Sequence, residues 1–188
     1  MSHSRARGGV YFNTPDCIGD NKVREITPEQ INENIFKLIG KDWMLITAKK
    51  PDGSFNTMTA SWGGAGVLWN KSVCFVFIRP QRYTYEFTEA ADELTLSFYP
   101  EEMRGALTLC GRKSGRDCDK VSEAGLIPRE LDGTVYFEGA KLVMKVKKLY
   151  KTQLDKAKFI DKSIASACYA ADDYHFVYIC EIEKIMAE

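Results

Sequence analysis

Apolar residues along this chain recur in short runs and alternations separated by turn residues, a pattern that predicts many strands and a few short helices. Trp43–Ala48 reads as a first strand, and Lys50-Pro51-Asp52-Gly53 carries the turn chemistry to return it as a hairpin into Phe55–Ser61. Gly63, Gly64 and Gly66 are expected to break that second strand. Ser72–Ile78 is almost continuously apolar, as in a buried strand, and Glu93–Tyr99 forms another. From Lys141 to Lys151 the alternation is plain. Leu142, Met144, Val146 and Tyr150 share one face, and Lys141, Lys145, Lys147 and Lys151 the other, predicting a half-exposed antiparallel strand with a solvated lysine face. Tyr174–Ile182 is the last strand, with His175, Val177 and Ile179 opposite Phe176, Tyr178 and Cys180.

Helix signals are local. Thr27-Pro28-Glu29-Gln30 combines an N-cap, a first-turn proline and a capping-box glutamine. Ile31, Ile35, Leu38 and Ile39 then follow at helical spacing, and Gly40 is a stop. Further short helices are expected over Thr84–Ala91, from Pro100-Glu101-Glu102 to Gly111, over Asp117–Ala124 and over Ser163–Ala171. Residues 1–24 read as an irregular arm before one domain over 25–188. Strands joined by hairpins, with short helices between them, predict a mainly β fold, an antiparallel barrel decorated by helices.

Composition narrows the function. The 188 residues carry 26 basic and 26 acidic side chains, so no global positive field points to nucleic acid. The polar N-terminus lacks a signal-peptide core and no run is long enough to span a membrane, which predicts a cytoplasmic protein. Its six cysteines are irregularly spaced and expected to be reduced, with Cys118 the most exposed. Two histidines, His3 and His175, make a Cys/His zinc site a poor expectation. Glycine-rich dinucleotide, phosphate-loop and nucleophile-elbow motifs are all missing. Glu101-Glu102 and Asp172-Asp173 read as surface charge.

Two stretches carry candidate chemistry. Asn56–Gly64 sets small hydroxyl and amide side chains around Met58 and Trp62 before two glycines, which suits close backbone approach to a flat polar ring. Arg79-Pro80-Gln81-Arg82-Tyr83-Thr84-Tyr85 brings two guanidinium groups and a hydroxyl to the start of a helix, where phosphate is favoured. The basic loop Arg112–Arg116 is either a solvated connector or a cover for a nucleotide.

In order, Asn56-x-x-Thr59-Ala60-Ser61-Trp62, Arg79-Pro80-x-Arg82-Tyr83-Thr84, Ser97-Phe98-Tyr99 and Ser114-Gly115-Arg116-Asp117-Cys118-Asp119-Lys120 resemble the flavin reductase-like family of FMN-binding split barrels. That group contains flavoredoxin and NAD(P)H:flavin oxidoreductases, and the likeness spans about Asp42–Ile182. It implies a Greek-key split β-barrel in which Asn56, Thr57, Met58, Thr59, Ala60, Ser61 and Trp62 edge an FMN ring. By the same resemblance Arg79, Pro80, Arg82, Tyr83 and Thr84 hold the phosphate, and Ser97 and Phe98 complete the wall. Lys113, Arg116 and Lys120 would supply positive charge, and His175 would lie near the nicotinamide of NAD(P)H. The implied activity is hydride transfer from NAD(P)H to FMN, carried by the flavin with no side-chain acid or base required. A homodimer with flavin near its interface is also implied, the 112–120 loop being a candidate for crossing to the second subunit. Two alternatives stay open: a flavoredoxin-like FMN electron carrier serving a protein partner, and a non-redox module for another phosphorylated ligand.

Overall fold

The structure is a computed structural model and describes residues 23–188, so residues 1–22 of the expected arm lie outside the described residues. The domain begins inside the expected arm: β1 (Arg24–Ile26) pairs antiparallel with the chain end, Arg24 opposite Ala187. The other strands are β2 (Met44–Lys49), β3 (Phe55–Ala60), β4 (Gly63–Leu68), β5 (Lys71–Ile78), β6 (Glu93–Phe98), β7 (Pro128–Leu131), β8 (Thr134–Phe137), β9 (Leu142–Gln153) and β10 (Phe176–Ala187). They form an eight-stranded antiparallel sheet in the order β3-β2-β6-β9-β10-β5-β4, with β1 added to β10, and a separate β7-β8 hairpin. The inner face buries Leu38, Met44, Ile46, Val76, Ile78, Leu94, Leu96, Met144 and Tyr178. A second cluster around Leu45, Tyr99, Leu107, Phe137 and Val143 packs α3 (Arg104–Arg112) and β8 on the other face.

Three expectations need correcting, and one hairpin adds to them. The helix expected from Thr27 to Gly40 is broken. A 3₁₀ turn (Pro28–Gln30), in which the Gln30 side chain accepts from Thr27 N at 2.9 Å, is followed by α1 (Ile35–Lys37) and a π turn over Leu38–Asp42 that runs through Gly40. Asn34 causes the restart: its side-chain oxygen accepts from Phe36 N at 3.0 Å and Lys37 N at 3.1 Å, offering the chain a new N-cap. The apolar stripe still reaches the core through Leu38 and Ile39.

The glycines after β3 do not end the sheet; they are β4, paired along its length with β5. A Cβ at Gly63 would lie 3.0 Å from the Phe75 carbonyl oxygen, so the glycine is what lets the two backbones approach. The β7-β8 hairpin was unforeseen, although Asp132-Gly133, both at positive φ (45° and 83°), form its turn.

The lysine face of β9 is largely paired rather than solvated. Lys141 meets Asp42 at 2.9 Å, Lys145 meets Glu93 at 3.0 Å, and Lys151 meets Glu89. Leu149 is skipped in the pairing with β10, a bulge that leaves Tyr150 exposed. The remaining helices are α2 (Tyr83–Ala90), α4 (Lys120–Glu123) and α5 (Lys162–Cys168), the last two opened by Asp119 and Asp161 caps.

Candidate cofactor site

Where β3 runs into β4 and β5 runs into α2, the sheet opens a groove of about 250 Å³ lined by Met58, Thr59, Ala60, Ser61, Trp62, Phe77, Arg79, Arg82 and His175. Pairing explains the meeting. Val177 of β10 lies opposite Phe77 of β5, so His175, just before β10, falls beside the β5 end that carries Arg79. The Thr59 hydroxyl donates to Leu107 O at 2.5 Å, tying this rim to α3.

Other expected residues lie behind the groove. Thr57 is buried, and its hydroxyl bonds Thr47 Oγ1 at 3.0 Å and Ile46 O at 3.2 Å. Ser97 and Phe98 are sealed within the sheet. Asn56 is also buried, and its amide donates to Thr84 Oγ1 at 2.8 Å, joining β3 to α2. A Cβ at Gly115 would lie 2.4 Å from Asn56 Oδ1 and 3.2 Å from the Tyr83 ring, so only glycine lets the 112–120 loop rest there. Pro80 is the half-buried joint between β5 and α2.

The expected cations divide sharply. Arg79 directs its fork at protein: one nitrogen donates to Asp173 Oδ2 at 2.5 Å and the other to Cys168 O at 2.8 Å. This corrects the reading of Asp173 as plain surface charge, and it gives Arg79, expected to hold a phosphate, two protein partners. The Arg79 hydrogen bond holds the Asp173 carboxyl below the usual carboxylate range. Arg116 pairs with Glu86 and covers the Tyr83 ring, while Lys113 pairs with Glu123 at 2.5 Å. Arg82 and Lys120 differ. Arg82 donates to Gly111 O at 2.9 Å, and buried Lys120 donates to Cys110 O and Lys113 O, each at 3.4 Å. Among the described residues neither has a carboxylate within ion-pair distance. Burial pulls both pKa values below their usual ranges, Arg79 adding to the effect on Arg82 and Arg82 to that on Lys120. The N-terminus of α2, with Arg82 as its N-cap residue and no side-chain cap, points its positive end at the same place.

His175 is buried, and desolvation, with Arg79 next, pushes its pKa down to about 4. Its Nδ1 lies 2.8 Å from the Tyr169 hydroxyl, and its ring is 5.1 Å from that of Trp62, which is 45% exposed at the groove mouth. Phe77 and Tyr169 went unnoticed in sequence: Phe77 reads as one apolar residue in a strand, and Tyr169 lies in a stretch with no periodic signal. Cys118 is half-buried and its thiol pKa is raised, first by burial, which does not favour a reactive thiolate.

An aromatic wall, hydroxyls at Thr59 and Ser61, and an uncompensated cation at a helix start form a donor set that fits a flat ring bearing a phosphate, as FMN does.

A family model described as flavin reductase like domain matches residues 37–187. Solved structures share the fold. An FMN-binding domain of a flavin reductases-like enzyme from Shewanella baltica OS155 superposes with a TM-score of 0.65 at 16% identity, covering 90% of this chain and 79% of that one. Flavoredoxin of Desulfovibrio vulgaris (Miyazaki F) gives 0.60 at 19%, covering 78% and 69%. The styrene monooxygenase flavin reductase of Pseudomonas putida S12 gives 0.57 at 12%, covering 77% of each. No protein of curated function matches the chain.

Proposed function

This chain belongs to the flavin reductase like domain family, and on that premise we propose that it is an FMN-dependent oxidoreductase taking hydride from NAD(P)H. The observation that carries the reading is the unneutralised positive charge of Arg82, backed by Lys120, at the uncapped start of α2 and beside an aromatic-walled groove. Buried or half-buried cations without carboxylates are costly unless an anion joins them, and a phosphate monoester is the anion that this donor set suits. In this reading Arg82 and the first N–H groups of α2 hold the phosphate, and Met58–Ser61 edge the ring. Trp62 and Phe77 shield it from water. When bound, FMN supplies the redox chemistry, accepting hydride from the nicotinamide donor. The chain's part is orientation, exclusion of water and charge.

The groove volume falls below the roughly 300–1,000 Å³ of small-molecule sites, and exposed Trp62 stands at its open side. We therefore also propose a homodimer whose second copy covers that opening. The five described cysteines are all free, which is consistent with a reducing, cytoplasmic setting. Among the described residues no helix is long and apolar enough to cross a membrane.

The test is the visible spectrum of the purified protein, first with FMN added, then with NADH or NADPH under anaerobic conditions. Flavin bands that bleach with a nicotinamide support the reductase and identify its donor. Bands that persist until a protein or chemical reductant is added assign an electron carrier instead. Failure to bind FMN overturns both readings.

A further inference from the structure

The segment between α5 and β10 forms one side of the groove, yet its packing is separate from the main core: Ala165, Tyr169 and Tyr174 make their own small cluster with Leu154, Phe159 and Cys168. It is held to the sheet by Arg79, which grips Asp173 and Cys168 O and lies 5.2 Å over the Tyr169 ring. Tyr169 is buried and stacked on Tyr174 at 4.7 Å and 24°. It meets the His175 ring edge-on at 5.5 Å and 83°. This much order around one phenol serves to aim its hydroxyl at His175 Nδ1, 2.8 Å away.

We propose that Tyr169 is a positioning residue: its hydroxyl donates to His175 Nδ1, fixes the imidazole as the Nε2–H tautomer, and so presents an N–H donor to whatever occupies the groove. Hydrogen-bond accounting sets the direction. The Tyr169 hydroxyl has no other partner among the described residues. Were it to accept from Nδ1–H, its own proton would be buried without an acceptor, at a cost of about 1–3 kcal/mol. As donor, it leaves the single ring proton on Nε2. That nitrogen makes no hydrogen bond among the described residues and is not sealed from solvent, and His175 lines the groove. Burial keeps the imidazole neutral, so this donor persists through the neutral pH range. The charged and titratable groups facing the ring are Arg79, Arg82, Asp173 and Tyr169 itself.

The role of this N–H toward a bound cofactor rests on the flavin reading above, but the tautomer does not, and the two are tested apart. The chain has only two histidines, His3 and His175, so the ring nitrogens of ¹⁵N-histidine-labelled full-length protein can be followed by NMR without FMN. The proposal expects protonated Nε2 and bare Nδ1 in the wild type at pH 7. In Tyr169→Phe, which keeps the ring stack, it expects a mixed tautomer. A wild-type Nδ1–H tautomer overturns the proposal, as do unchanged nitrogen shifts in Tyr169→Phe. If Tyr169→Phe does not fold, the wild-type tautomer alone decides. With FMN added, Tyr169→Phe should weaken FMN and riboflavin alike, by roughly threefold to tenfold, the scale of one lost hydrogen bond. A fixed Nε2–H with no flavin binding would sustain Tyr169's role and overturn the flavin reading instead.

Discussion

Arg79 and Arg82 stand three residues apart at the end of β5, line the same groove, and meet opposite surroundings. Arg79 faces the α5 side, where Asp173 neutralises it and Cys168 O takes its second nitrogen. Arg82 faces the α3–α4 side, where it meets the Gly111 carbonyl and, beyond it, Lys120. One rim of the groove is thus a closed ion pair under aromatic rings. The other is positive charge held only by carbonyl dipoles. A motif with two arginines suggests two phosphate ligands, whereas the partners on each side differ: one arginine is neutralised by a carboxylate, and the other, under the proposal above, is the one that meets an anion.

Breaking the closed rim should have the largest effect on stability. Arg79→Ala leaves the Asp173 carboxylate with Gln81 as its remaining side-chain partner at Oδ2, while its other oxygen, Oδ1, is buried without a partner among the described residues. The expected loss is about 2 kcal/mol in urea unfolding, below the figure for fully buried pairs because the Arg79 side chain is 28% exposed. FMN and riboflavin binding should fall together as the 168–175 segment loosens. An unchanged unfolding midpoint would remove the clamp role.

Lys120→Met sharpens the contrast from the open rim. FMN affinity should drop about tenfold, or ~1.4 kcal/mol, while stability holds or rises by about 1 kcal/mol because a buried amine bonded only to carbonyls is lost. A destabilised variant with intact FMN affinity would reverse that assignment.

Acid titration probes the His175 side of the groove. His175 has its pKa lowered in the folded state from 6.5 to about 4, so between those values the unfolded chain binds more protons. Stability from this group is complete above pH 6.5 and is lost as the pH falls toward 4. The slope of unfolding free energy over that window should flatten in His175→Gln, and an unaltered slope would mean the ring is not buried neutral.

The smallest effects belong to the exposed cations. Lys113→Ala and Arg116→Ala should each change FMN affinity less than about twofold, since their acids sit at the surface. Lys147→Ala, which lies outside the groove, should change nothing measurable in a fluorescence titration.

Most of the sheet was legible because strand alternation is a local signal: β2, β3, β5, β6, β9 and β10 all follow runs that stand out in the chain. β4 did not, because Gly63-Gly64-Ala65-Gly66 reads as a breaker until Phe75 is seen against it. Asp132-Gly133 did carry a hairpin turn signal, but the Pro128-Arg129-Glu130-Leu131 stretch before it is not an apolar run. In the site, Met58–Trp62, Arg82 and His175 were recognisable and do meet. What separates Arg79 from Arg82 was not. Asp173 is 94 positions from Arg79, and no short-range pattern links them. Tyr169 was equally hidden, since its partner is fixed by how α5 folds back and not by spacing along a strand.

The most direct measurement is a paired titration of FMN and riboflavin against wild type, Arg82→Ala and Arg79→Ala, because the two ligands differ by the phosphate alone. Arg82→Ala is expected to weaken FMN about 100-fold, ~2.7 kcal/mol, and riboflavin little. Arg79→Ala is expected to affect both ligands equally. A loss confined to FMN in Arg79→Ala, or equal losses in Arg82→Ala, would contradict these roles of the two arginines.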